Sequence, residues 1–137
     1  MKIEESVKIL AILAAAYPNY YKSMTAEEAN GASAIWATQF ADVPADIVLM
    51  AVNKAISCCK FPPAISEVKK KVQSIHWEAC EMITDNTKSP FLSDDEKRRY
   101  KRIYNATYSY RNMVSHEPTI SQMIEGEQFL MLESRKE

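Results

Sequence analysis

Glycine is almost missing from this chain: Gly31 and Gly126 are the only two in 137 residues. Tight hairpin turns rely on residues that accept positive φ, so a sequence this poor in glycine is not a tight-turned all-β protein. No Gly-Lys-Ser/Thr sequence occurs, which excludes the phosphate-cradling loop of P-loop ATPases. The three cysteines, Cys58, Cys59 and Cys80, have no disulfide-framework spacing, and an odd count fits a reducing compartment. No apolar run approaches the ~20 residues needed to cross a bilayer. The start, Met1-Lys2-Ile3-Glu4-Glu5, carries acids where a secretion signal is basic. Excess charge is lacking too. The net charge is −1, so the protein is not built as a whole to coat nucleic acid. Residues 1–75 hold eight lysines against seven acids, and residues 76–137 hold nine Lys/Arg against eleven acids. A nucleic-acid reading would have to rest on a local patch.

What is present is helical patterning broken by proline. Ile3, Val7, Leu10, Leu13, Ala14 and Tyr17 form one apolar stripe at helical spacing, and Pro18 stops that helix. Thr25-Ala26-Glu27-Glu28 has the form of a capping box and opens a second helix bearing Ala29, Ala32, Trp36 and Phe40. Small residues at Ala32 and Ser33 would let another helix approach closely. Pro44 suits the first position of a third helix, whose inner face is Val48, Ala51, Val52, Ala55, Ile56 and Cys59. Then Lys60-Phe61-Pro62-Pro63 forbids helix, because each proline lacks an amide donor and pushes the residue before it to extended backbone. We expect a rigid elbow here, with the Phe61 ring buried and Ser66 capping the next helix.

Beyond the elbow, Ile65, Val68, Val72, Ile75, Ala79 and Met82 step by three and four, which suits a helix lying along a partner helix. Ser93-Asp94-Asp95-Glu96 is a second capping box and predicts a helix to about Val114. After Pro118 a last helix is expected through Leu132. The predicted fold class is all-α, with about six helices. It divides into a compact head of residues 1–72 and a helical C-terminal extension of residues 73–137.

Residues that carry chemistry are few. His76 and Cys80 are four apart on one helix and could both touch a metal, but no second ligand pair accompanies them, so an ordinary packed His and Cys is preferred. The carboxylates read as solvated faces and helix caps. Nothing argues for catalysis, a metal or a cofactor. The most suggestive surface is the helix bearing Lys97, Arg98, Arg99, Lys101 and Arg102 outside an inner stripe of Tyr100, Ile103, Tyr104 and Thr107. It would allow phosphate contacts with tyrosines stacking on bases. A solvated basic face balancing Asp94, Asp95 and Glu96, or a protein-binding surface, is preferred because the tyrosines sit at core spacing. Trp77 lies off the heptad seam and is a candidate anchor for a partner. With Tyr104, Tyr108, Arg111 and Phe129 it makes up the candidate partner-binding set. The C-terminal half carries more aromatic and methionine side chains than one short arm can bury by itself.

The first seventy residues also form an ordered series: Ala15-Ala16-Tyr17-Pro18-Asn19-Tyr20, a capped helix with Trp36, Asp42-Val43, then Lys60-Phe61-Pro62-Pro63-Ala64-Ile65-Ser66-Glu67. Over roughly residues 5–72 this resembles the replicative-helicase loader/inhibitor family of tailed phages. The resemblance implies a small all-helical N-terminal domain, held together by Tyr17, Pro18, Trp36, Phe61, Pro62 and Pro63. It also implies a non-enzymatic replication factor acting in the bacterial host cytoplasm. Such a factor would bind the hexameric, DnaB-type replicative helicase, hold it inactive, and pass it to an initiator bound at the phage origin. In that family the helicase-binding tail is short and flexible, whereas the tail here has helix caps and apolar stripes. The alternative, from a different class, is a small DNA-binding regulator using the basic helix of residues 93–114.

Overall fold

The structure is a computed structural model and describes residues 1–85 and 87–113. Among these residues there are six α-helices and no strand: α1 (Ile3–Ala16), α2 (Pro18–Tyr21), α3 (Ala26–Gln39), α4 (Ala45–Cys58), α5 (Ile65–Thr84) and α6 (Asp94–Ala106). Single 3-10 turns follow α5 and α6, at Ser89–Phe91 and Tyr108–Tyr110. The all-α expectation is met. None of the helices is long and apolar enough to cross a membrane.

The helix ends follow local chemistry. Pro18 closes α1 and heads α2, as its missing amide requires. Thr25 Oγ1 accepts the Glu28 amide at 3.1 Å, although the Glu28 side chain makes no return bond to residue 25. The box at Ser93 is complete: the Glu96 amide donates to Ser93 Oγ, and Glu96 Oε1 accepts from the Ser93 amide and hydroxyl. The cap of α5 is Ala64, not Ser66. The proline restriction reaches only Phe61 and Pro62, so once past Pro63 the chain turns helical and the Ala64 carbonyl takes the Glu67 and Val68 amides.

Helix contacts run in the order α3–α1–α4–α5–α6, with α4 in the middle. It buries Ile47, Val48, Ala51, Val52 and Ala55 between its two neighbours. One core cluster extends from Ile9 and Leu13 through Trp36, Phe40, Val43 and the α4 residues to Val68, Val72, Ile75, Ala79, Ile103 and Tyr110. The heptad seam of α5 therefore lies along neighbouring helices, as expected, with Val68, Val72, Ile75 and Ala79 inside this core. The expected head–extension division at residue 72 falls within α5, which is continuous there, and buried residues stand on both sides of it.

Two expectations about packing are corrected. The buried side of α1 is Ser6, Ile9 and Leu13, while Ile3 and Val7 are exposed. The helix is rotated because its closest approach is made by small polar groups. Ser6 Oγ donates to the Ser33 carbonyl at 2.7 Å and lies within bonding distance of the Ile3 carbonyl at 2.8 Å. The close approach anticipated at Ser33 thus exists, and it sets the rotation. At the elbow, Phe61 is 60% exposed; its ring stands edge-on to Tyr20, with centroids 5.9 Å apart, and the Lys60 ammonium lies 5.8 Å over it. The corner is held by other means: Pro63 is buried, and the buried Tyr17 donates its hydroxyl to the Cys59 carbonyl at 2.7 Å. Tyr17 and Trp36 are core residues, and Pro18 is exposed.

Candidate partner-binding surface

The candidate surface is built where α5 meets α6. These helices are antiparallel neighbours joined by a short connection. Their packing brings the side chains of residues 76–84 beside those of residues 101–108. His76 is fully buried at the centre of the packing. Its Nδ1 is 3.0 Å from Thr107 Oγ1, and that hydroxyl lies 2.7 Å from the Ile103 carbonyl. The hydroxyl proton goes to the carbonyl, so Nδ1 carries the imidazole proton and donates to Thr107. Nε2 is then a bare acceptor, buried with no partner.

Around this imidazole the aromatic residues converge. Tyr104 stacks on it at 4.7 Å, and Trp77 and Tyr108 stand edge-on at 5.1 and 6.2 Å. Tyr104 and Tyr108 are themselves 5.9 Å apart, and the Arg111 guanidinium lies 3.8 Å over the Tyr108 ring. Trp77, at 48% exposure, and Tyr108, at 46%, present their outer faces to solvent. Four of the five candidate partner-binding residues, Trp77, Tyr104, Tyr108 and Arg111, are therefore brought together. The fifth, Phe129, lies outside the described residues, as does the expected helix through Leu132.

The expected basic helix is shorter than its sequence pattern. It ends at Ala106, because Thr107 is pinned by His76 and a 3-10 turn follows, its Ser109 hydroxyl donating to Asp42 at 3.1 Å. Val114 lies beyond the described residues. Lys97, Arg98, Arg99, Lys101 and Arg102 are all exposed, but two of them are engaged. Arg98 pairs with Asp95 at 2.8 Å, and Arg102 grips both oxygens of Asp46 on α4 at 2.9 and 3.2 Å. Arg99 lies over the Tyr100 ring.

Ionisation follows these contacts. Burial holds the His76 imidazole below its ordinary value; the Tyr104 backbone opposes this and the Arg111 charge adds to it. The Arg102 hydrogen bond lowers the Asp46 carboxyl. Burial, with Asp42 nearby, pushes Tyr110 up to about 12. No group of three or more His, Cys, Asp or Glu suited to a metal occurs among the described residues, and His76 is committed to Thr107.

Sequence reasoning passed over a cleft beside this cluster, a cavity of about 250 Å³ lined by Cys80, Ile83, Thr84, Lys101, Tyr104 and Asn105. The signal was available: Cys80 and Thr84 follow Trp77 at i+3 and i+7, on the side of α5 that Trp77 opens to solvent.

A family model for the N-terminal domain of the phage gene 39 protein matches residues 1–69. No curated protein and no solved structure matches the chain. The matched segment takes in α1 to α4, the elbow and the first turn of α5, the stretch in which Tyr17, Trp36 and Pro63 are buried. With 69 of its 137 residues matched, the chain belongs to the gene 39 protein family of phage helicase-interacting proteins.

Proposed function

We propose that this protein is a non-enzymatic phage replication factor that binds the hexameric replicative helicase, restrains it, and delivers it to the origin through an origin-bound initiator. The observation that carries this reading is the family match over residues 1–69. The chain has no phosphate-binding loop, consistent with a factor that acts by binding rather than by hydrolysing ATP. The C-terminal half supplies the binding surface, with Trp77, Tyr104, Tyr108 and Arg111 as its anchors and Phe129 as a further member. Aromatic and arginine side chains are the residue types in which interfaces concentrate their energy.

The test is co-purification of the host replicative helicase with the tagged chain, followed by helicase ATPase and unwinding assays. The expected result is a stable complex with reduced unwinding. Tyr108→Ala combined with Arg111→Ala should weaken it about tenfold or more, roughly 1.4 kcal/mol, with the helical fold retained. A chain that captures no helicase, yet binds duplex DNA with an affinity falling steeply as salt rises, would refute the reading in favour of a DNA-binding regulator. The ion pairs of Arg98 and Arg102 weigh against that alternative, since both cations are already engaged.

A further inference from the structure

The cleft between α5 and α6 continues beyond the aromatic cluster, and its borders differ in character along its length. On α5 the row is Trp77, Cys80 and Thr84; facing it, in antiparallel order, are Tyr108 in the 3-10 turn after α6 and Tyr104, Lys101 and Lys97 on α6. From Trp77 to Thr84 the helix rises about 10 Å, the length of two helical turns. The middle is apolar, formed by Ile83, Cys80 and the Tyr104 ring. Lys101 lines both the cleft and an adjoining polar hollow that it shares with Asp94, Lys97 and Arg98.

Charge along this groove is unbalanced by local pairing. Glu81, one turn along α5 from Trp77 and from Thr84, is neutralised by Lys88. Arg98 is taken by Asp95. Lys97 and Lys101 make no ion pair among the described residues, and at the other end Arg111 rests on the Tyr108 face, also without one. Asp94 is the one acid that lines the polar hollow. The groove is therefore apolar along its floor and cationic at both ends.

We propose that this groove is the seat of a short acidic amphipathic helix of the helicase, two to three turns long. Its apolar row lies against Trp77, Ile83 and Tyr104, and its carboxylates meet Lys97 and Lys101 at one end and Arg111 at the other. A helix laid into a groove buries i, i+3, i+4 and i+7 side chains, which matches the two-turn length of the floor. Cationic ends select a negative partner and speed its encounter. The proposal rests on the helicase-binding reading and adds the chemistry of the segment bound.

Cys80, on the groove floor, is a built-in reporter. In the full chain with Cys58→Ser and Cys59→Ser it is the only thiol, and its alkylation rate by monobromobimane can be followed with and without the helicase. The helicase is expected to slow that reaction at least fivefold. Lys97→Glu with Lys101→Glu, both exposed and so compatible with folding, should weaken helicase binding at least tenfold at low salt. Trp77→Ala should weaken it at either salt. Ile35→Glu, on the exposed side of α3, should leave affinity and Cys80 protection unchanged. A helicase that binds wild type and both groove variants alike, and leaves Cys80 alkylation unaltered, overturns the groove while the helicase reading stands. A chain that captures no helicase overturns that reading and the assigned occupant together.

Discussion

Acidification should unfold this protein earlier than its surface charges alone would require, because His76 cannot accept a proton where it sits. The imidazole is fully buried, its Nδ1 proton is committed to Thr107, and Nε2 has no neighbour to share an added proton. Burial keeps its folded value below the ordinary 6.5, with Arg111 adding to the effect against the Tyr104 backbone. Above pH 6.5 the folded and unfolded chains both carry a neutral His76, and stability is independent of it. Below 6.5 the unfolded chain takes up a proton that the folded chain refuses. Stability then falls as pH falls, with a slope approaching ~1.4 kcal/mol per pH unit, until the depressed folded value is reached. Asp46 and Asp85 are lowered from 3.8 in the folded state, so their contributions are lost only at lower pH and leave the window from 6.5 to 5 to histidine. Urea melts at half-unit intervals between pH 7.5 and 5 would measure the slope. It should vanish in His76→Phe, which removes the titrating group while keeping an aromatic ring against Tyr104. His116→Gln is the control for the other histidine and should retain the slope. A wild-type stability that is flat or rises between pH 6.5 and 5 would refute the reasoning.

Two stability predictions follow from the packing. Phe61→Ala should lower stability by less than about 1 kcal/mol, since the ring is largely in solvent, whereas Phe40→Ala, at a fully buried position, should cost ~3–5 kcal/mol; chemical denaturation of the pair decides it, and a large loss at Phe61 would restore a buried elbow. A fragment of residues 1–72 should remain helical and cooperative but melt well below the full chain, because it keeps Val68 and Val72 while losing Ile75, Ala79, Ile103 and Tyr110 from the shared core. Circular dichroism melts test the proposed head, and a fragment without a cooperative transition would show that the head does not stand alone.

Most of the secondary structure was legible because its signals are local. Proline at 18, 44, 62 and 63 removes amides whatever the surroundings, and the capping sequence at Ser93 closes on itself within four residues. The α5 seam was readable as a buried stripe, and the Tyr-Pro-Asn and Phe-Pro-Pro stretches carried the family resemblance that the match over residues 1–69 supports. The candidate site was half legible. Trp77, Tyr104, Tyr108 and Arg111 stood out by residue type, yet nothing in their spacing says that His76 lies beneath them.

What the tertiary structure decided is rotation, burial at corners, and the neighbours of isolated polar groups. Ile3 and Val7 fit a helical stripe as well as Ile9 does, but a hydrogen bond from Ser6 to Ser33, twenty-seven residues away, turns α1 toward α3 and leaves them outside. Phe61 looked obliged to be buried because large apolar side chains gain most from burial, yet that preference acts only where packing leaves room. Here Pro63 and the Tyr17–Cys59 hydrogen bond already hold the corner. The basic helix stopped at Ala106 because Thr107 meets an imidazole thirty-one residues back in the chain. Periodicity records which side chains share a face of one helix; which face is covered, and by what, depends on contacts between residues that the sequence keeps far apart.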